Sequence, residues 1–181
     1  MVFDYYHRLS AKRQSIYRQS DAITRIELPR AAALQPILPL IQSALKSEQQ
    51  KSVERYAQQL ADGIITAVPS PPLRVKVLAV RPSDDWGELH GLYLPEEDNK
   101  TATIQLWMRT AKNKRVVAFK SFVRTLLHEL CHHLDYEHFN LPETFHTQGF
   151  YSRESSLLHQ LLPDPAATNG DHEAEPSADT A

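Results

Sequence analysis

The segment from His128 to His132, which reads His-Glu-Leu-Cys-His, constrains this chain more than any other part of it. Residues four apart share one face of an α-helix, so both imidazoles can meet at one metal ion if the segment is helical. Glu129, one step along, lies too far round the helix to bind the ion easily, but it can reach a water that the ion activates. The pattern therefore predicts a metal site on a helix, equipped for hydrolysis.

The residues around this motif divide into two faces at about 100° per residue. His128, His132 and Asp135 share one side, and a chance occurrence of the motif would not be expected to respect such a division. Cys131 falls on the opposite, apolar side, which predicts a small buried hydrophobe rather than a ligand or nucleophile. His133 is predicted to be packed or hydrogen-bonded. The apolar side consists of Phe122, Val123, Leu126, Leu127, Leu130, Cys131 and Leu134.

Composition places the chain among ordinary globular proteins, with 181 residues, 41% hydrophobic and 23% charged. We expect a single domain at 1–162, with a helical part at 1–70 and a catalytic part at 73–162. Residues 163–181 carry five acidic residues and no Lys or Arg, and they are poor in apolar residues. They are predicted to form a disordered acidic tail.

Compartment and partners are constrained only loosely. The single cysteine excludes an internal disulfide, the first residues do not read as a secretory signal, and the apolar stretch 31–41 is too short to span a membrane. We therefore expect a cytoplasmic protein with no membrane partner. Basic residues among the first 30 predict a solvated helix face, and nucleic acid is a weaker alternative partner. Oligomeric state is not indicated.

The period of the apolar residues changes from about 3.6 to 2 near residue 73, and returns to 3.6 before the motif. The predicted helices are at 4–20 and at 31–67, and Pro36 and Pro39 are expected to disturb the start of the second. Strands are predicted at 73–80, 90–94 and 101–108. A ligand helix is predicted from after Arg115 to about Tyr136, and a last helix from His146 or Thr147 to Leu162. This order predicts an α+β fold with N-terminal helices, a small three-stranded antiparallel or mixed sheet, the HExxH helix and a C-terminal helix.

A sheet edge beside the ligand helix can bind an extended peptide by strand addition. We expect either Gly91-Leu92-Tyr93 or Thr103-Ile104-Gln105 to act in this way. The expected substrate is accordingly a protein or peptide.

Two histidines leave the site incomplete, since catalytic zinc usually has three protein ligands and a water. His138 has the spacing of the metzincins, but Asp135 stands where that pattern needs glycine, and neither methionine, Met1 nor Met108, lies downstream. A following helix could instead supply a glutamate, as in the gluzincins. The candidates for the third ligand, which the residues alone leave open, are His138, Glu143, His146 and Glu154.

The longer pattern around the motif resembles the SprT-like zinc metallopeptidases. His-Glu-Leu-Cys-His-His is followed, after just over a dozen residues, by His146 with Gly149 and Phe150 close behind. The β segments Gly91-Leu92-Tyr93 and Thr103-Ile104-Gln105-Leu106 also stand where that family places its active-site strands. The similarity covers about residues 73–162.

This resemblance implies a zincin fold, a Zn²⁺ ion held by His128, His132 and His146, and Glu129 as the general base of a zinc-dependent peptidase. The alternative is a non-catalytic zinc-binding regulatory or adaptor domain, possibly associated with nucleic acid. Glu129 argues against that alternative, because a structural zinc site needs no such carboxylate and is usually closed by a fourth ligand.

Further side chains have candidate roles. Asp135 either accepts the outer N–H of a ligand histidine or is a simple carboxylate near the helix end. His90 and His159 are expected to have surface or structural roles. The candidate donors to a developing oxyanion are Tyr93, Tyr151 and Arg153.

Overall fold

The N-terminal part of the chain is helical but interrupted. The computed structural model describes residues 2–84, 87–97 and 100–163. A 3-10 helix at Asp4–Arg8 precedes helix α1 at Ala11–Ala22, and Ser10 caps α1 by accepting a hydrogen bond from the backbone N–H of Arg13. The helix predicted at 4–20 is therefore two helices. All of the predicted acidic tail except Pro163 lies outside the described residues.

The second helical stretch is broken where the prolines predicted a disturbance. Its helices are α2 at Ala31–Leu34, α3 at Ile37–Lys46 and α4 at Gln50–Ala67. Pro36 directly precedes α3, a position at which its missing N–H costs no helical hydrogen bond. Glu48, between α3 and α4, has a φ of 56°, a left-handed conformation that reverses the chain there.

The sheet is mixed and has three strands, β1 at Arg74–Val80, β4 at Gly91–Leu94 and β5 at Thr103–Arg109. Their order is β1-β5-β4, with β1 parallel and β4 antiparallel to the central β5. The loop between β1 and β4 contains a small hairpin, β2 at Ser83–Asp84 and β3 at Gly87–Glu88, which was not predicted from the sequence.

Side chains of α4 close the outer edge of β1. The backbone of Val77 is bonded on both sides, as its N–H donates to Glu54 Oε2 and its C=O accepts from Gln50 Nε2, both at 2.8 Å. Gln58, further along α4, also binds this edge: its side-chain oxygen accepts a hydrogen bond from the N–H of Val75 at 2.7 Å. A further strand cannot pair there. The other edge of the sheet, β4, is the one that faces the ligand helix.

The predicted ligand helix is α5 at Phe119–Glu137, and the last helix is α6 at Gln148–Leu161. Thr147 caps α6, with its hydroxyl oxygen accepting from the N–H of Phe150 at 2.9 Å. The predicted apolar face of α5, Cys131 included, is buried against the sheet and α6. The α+β fold predicted from the sequence is thus confirmed.

Two predictions for α5 concern residues beside the motif. Cys131 is completely buried, which raises the pKa of its thiol and keeps it from acting as a nucleophile. His133 is also completely buried, with Tyr93 Oη 3.1 Å from its Nδ1 and the carbonyl of Pro71 3.0 Å from its Nε2. Both predictions are confirmed. Within the described residues, no helix is both long and apolar enough to cross a bilayer.

Candidate metal centre

The side chains of three histidines, two on α5 and one on the loop before α6, come close together. The Nε2 atom of His146 lies 3.0 Å from that of His128 and 3.1 Å from that of His132. One ligand atom from each residue falls within 4.8 Å of the other two. In a regular tetrahedral zinc site, nitrogens about 2.0–2.1 Å from the ion are about 3.3 Å from one another. Two of the three distances are near this value, and the three nitrogens lie close enough together to hold a metal ion such as zinc.

The outer nitrogen of His128 has a fixed partner. His128 Nδ1 donates to Glu154 Oε2 on α6 at 3.0 Å, and Glu154 is only 4% exposed. A carboxylate only accepts, so this contact places the proton on Nδ1 and turns the Nε2 lone pair toward the metal position. Glu154, a candidate third ligand in the sequence, is thus hydrogen-bonded to the outer nitrogen of a histidine of the cluster.

The outer nitrogen of His132 begins a longer chain of hydrogen bonds. Thr144 Oγ1 donates to Asp135 Oδ2 at 2.8 Å, so it accepts from His132 Nδ1, also at 2.8 Å. Asp135 in turn is paired with Arg153 at 2.7 Å, and both side chains are fully buried. Asp135 therefore does not accept the outer N–H of a histidine directly, as one of its two predicted roles required, but is linked to His132 through Thr144.

The pKa of His132 is lowered to about 3, mainly by burial and further by the neighbouring His128 and His146. Partial burial of its ring, and then the neighbouring His128, also lower the pKa of His146. These two rings are therefore neutral at pH 7, the form in which imidazole binds a metal.

Glu129 lies against the edge strand β4 and is only 6% exposed. Burial raises its pKa to about 7, against the opposing effects of the nearby His128 and a hydrogen bond from the backbone of Tyr93. A carboxyl group with a pKa near 7 can both accept and release a proton at neutral pH. The environment therefore suits the role of general base that the motif predicts.

Gly91 on β4 makes this close approach possible. A Cβ atom at position 91 would lie 2.9 Å from Glu129 Cδ and 2.7 Å from Thr125 Cγ2. Its backbone is not in the left-handed region, so space rather than conformation requires glycine here. No pattern in the sequence indicates this requirement.

The site opens into a cleft of about 680 Å³ between β4 and α5. One wall is the chain from Leu89 to Tyr93 with Pro95, and the other is α5 with Ser121, Arg124 and Tyr136. The three histidines, Glu129 and Thr144 line its floor. A cleft of this size is typical of a site that binds part of a polymer or a small molecule.

Other candidates from the sequence lie elsewhere. His138 Nδ1 is bonded to the carbonyl of Pro69, and Glu143 forms an ion pair with Arg13 at 2.7 Å. Neither reaches the histidine cluster. His159 is exposed on α6, whereas His90 lines the cleft.

Arg153 was one of the three predicted candidates for the oxyanion donor, and this prediction is wrong. Its guanidinium is completely buried and bonded to Asp135, Ser20 and the carbonyl of Ile23, so it cannot face the cleft. The hydroxyl of Tyr93 is already hydrogen-bonded to His133. Tyr151 is 38% exposed, and its ring stacks on that of His146 with centroids 5.9 Å apart.

The part of the chain that builds this site matches a known family. The WLM domain family matches residues 39–159, about two thirds of the chain. The chain belongs to the WLM domain family. The match runs from α3 through most of α6 and so includes every residue of the histidine cluster. Comparison with curated proteins and with solved structures gave no match.

WLM domains are related to the SprT-like, zincin-type metallopeptidases, so the resemblance inferred from the sequence is confirmed at that level. The WLM match also begins earlier than the similarity at 73–162, because it takes in α4 and most of α3.

Proposed function

We propose that this WLM domain is a zinc-dependent peptidase in which His128, His132 and His146 bind the metal and Glu129 is the general base. The observation that carries the proposal is the convergence of three imidazoles beside a buried carboxyl group whose pKa is raised to about 7. The family relationship to zincin-type metallopeptidases agrees with it.

Bound at these three nitrogens, zinc would supply a Lewis acid that acidifies water and polarises a carbonyl group. Glu129 then accepts the proton of the attacking water at its carboxylate and transfers it to the nitrogen of the leaving amine. Burial against β4 raises the proton affinity of Glu129 above that of an exposed glutamate, which favours uptake of the proton from water.

The substrate is proposed to be an extended peptide that adds to the edge of β4. Of the two segments predicted for this role, Thr103-Ile104-Gln105 is excluded, since it belongs to the central strand β5 and is paired on both sides. Gly91-Leu92-Tyr93 lies on the edge strand and lines the cleft. Backbone pairing at such an edge gives affinity without a strict sequence requirement.

We propose Tyr151 as the donor to the developing negative charge on the carbonyl oxygen, because its ring stacks on that of His146. Its pKa is raised by partial burial and by nearby Glu154, so its hydroxyl keeps its proton at neutral pH.

The test compares Glu129→Gln with the unaltered chain for zinc content and for cleavage of casein and of a DNA-bound protein. We expect Glu129→Gln to keep one zinc per chain and to lose about 10²–10⁴ in turnover. The matched control, Glu27→Gln, removes an exposed carboxylate that pairs with Arg25 and does not line the cleft, so it should keep most of the activity. Zinc binding without any chelator-sensitive cleavage by the unaltered chain would instead favour the non-catalytic regulatory or adaptor domain.

Association with nucleic acid stays a prediction. Two of the basic residues behind it are engaged within the protein, Arg13 with Glu143 and Arg25 with Glu27. A DNA mobility shift that weakens as salt is raised is the minimum result that would support it.

A further inference from the structure

We propose, on the basis of the zinc site proposed above, that four residues near the N-terminus position the third ligand, His146. These residues, the N-terminal clamp, are Tyr5, Arg13, Tyr17 and Asp21. All four precede the WLM match, which begins at residue 39. The clamp is thus a part of this chain's metal centre that the family relationship does not supply.

His146 needs such support more than the other two ligands do. His128 and His132 lie on the rigid helix α5, and their Nδ1 atoms are bonded to Glu154 and Thr144. His146 lies on the loop before α6 and is exposed. Among the residues that the structure describes, none accepts a hydrogen bond from its Nδ1 atom. Its position therefore depends on the backbone of its loop, on an edge-to-face contact with Phe150 and on stacking against Tyr151.

The clamp contacts this loop at three successive points. The hydroxyl of Tyr5 donates to the backbone carbonyl of His146 itself, at 3.0 Å. The ring of Tyr17, which is fully buried, packs on Phe145 with centroids 6.0 Å apart. Arg13 forms its ion pair with Glu143 and also lies over the Phe145 ring, 5.3 Å from its centroid. The loop is therefore held on both sides of Phe145.

Asp21 holds the other end of the loop, where α6 begins. Its Oδ1 accepts from the backbone N–H of Gly149 at 2.9 Å, an acidic group at a helix N-terminus. A Cβ atom at Gly149 would lie 2.7 Å from the carbonyl carbon of Asp21, so only glycine permits this approach. The glycine near the third histidine in the sequence is thus explained by contact with the clamp.

These contacts join residues that are 128 to 141 positions apart in the chain. They are made only in the folded protein, so the clamp contributes to zinc affinity by limiting the positions that His146 can take before the ion binds. A metal site whose supporting contacts are removed typically loses up to about 10–100-fold in affinity.

The experiment measures the zinc dissociation constant of Tyr5→Phe by competition with a chromophoric chelator. We expect zinc to bind about three- to tenfold more weakly, the usual effect of one hydrogen bond. Tyr6→Phe is the matched control, because it makes the same change one residue along and the Tyr6 hydroxyl accepts from Arg18 rather than contacting the loop. The metal-free thermal midpoint of each variant confirms that it folds.

A second measurement separates positioning of His146 from a general effect on structure. In a His146→Ala background, Tyr5→Phe should cause no further loss of zinc affinity, because the residue through which Tyr5 acts is gone. Asp21→Ala should weaken zinc binding and Asp21→Asn, which keeps an acceptor oxygen, should restore it. Unchanged affinity in Tyr5→Phe, or an equal loss with and without His146, would overturn the clamp. Failure of the unaltered chain to bind zinc would overturn the proposed function itself.

Discussion

Glu129→Gln should stabilise the metal-free protein, although the proposed mechanism requires Glu129 for turnover. A pKa raised from 4.5 to about 7 means that the ionised carboxyl group costs more free energy in the folded chain than in the unfolded chain. At 1.36 kcal/mol per pKa unit, the cost at pH 8 is about 3 kcal/mol. Glutamine has nearly the same shape and never ionises, so the substitution removes this cost.

The sign of the pH dependence follows from proton binding. With its pKa raised, Glu129 holds more protons folded than unfolded, so its contribution to stability falls as pH rises from about 4.5 to about 7 and is constant above that. The stabilisation gained from Glu129→Gln should therefore shrink from about 3 kcal/mol at pH 8 to roughly half of that at pH 5.5. Near pH 4 it should almost vanish.

Urea unfolding in the presence of a chelator measures this difference at each pH. The chelator is needed because a bound cation would favour the ionised carboxylate. Glu96→Gln, at an exposed glutamate in the loop after β4, is the control and should change stability by less than about 0.5 kcal/mol. If Glu129→Gln is no more stable than the unaltered chain at pH 8, or is equally stabilised at pH 5.5 and pH 8, burial does not raise the pKa of Glu129.

Three further substitutions test the surroundings of the site. Gly91→Ala places a methyl group against Glu129, so we expect kcat/KM to fall at least about tenfold with zinc content unchanged, as measured by steady-state kinetics and metal analysis. Thr144→Val removes the link between His132 and Asp135 and should weaken zinc binding about tenfold in a chelator competition. Asp135→Asn leaves the Arg153 charge buried without its partner and should cost about 3–5 kcal/mol in urea unfolding; a loss below about 1 kcal/mol would contradict the buried ion pair.

The elements of the fold could largely be predicted because they depend on local patterns. The helical period around the motif predicted α5 and its buried face. The alternation of apolar and polar residues predicted the ends of β1, β4 and β5 to within one or two residues. The break before α3 followed from Pro36. The β2–β3 hairpin was missed, since two-residue strands are too short to produce a period.

From the residues alone, the site could be predicted only as far as one helix turn extends. His128, Glu129 and His132 share a helix, so their spacing is sufficient, but the intervening loop has no period and left the third ligand open among four residues. His146 was predicted only from the resemblance to the SprT-like family. Glu154 was a candidate ligand, and the structure instead places it at the outer nitrogen of His128.

Arg153 shows most clearly what a sequence cannot reveal. A cation near the motif was a reasonable candidate for the oxyanion, yet it is fully buried and paired with Asp135. That pairing depends on how α5 and α6 pack, as do the contacts of Tyr5 and Asp21 with the loop of His146. Such contacts between distant parts of the chain leave no local signal.

A crystal structure of the zinc-loaded protein would identify the three metal ligands. We expect one zinc ion per chain with the Nε2 atoms of His128, His132 and His146 at about 2.0–2.1 Å, and Glu154 still bonded to His128 Nδ1. An ion bound by His128, His132 and a carboxylate oxygen of Glu154, with the ring of His146 turned away, would contradict the three-histidine site.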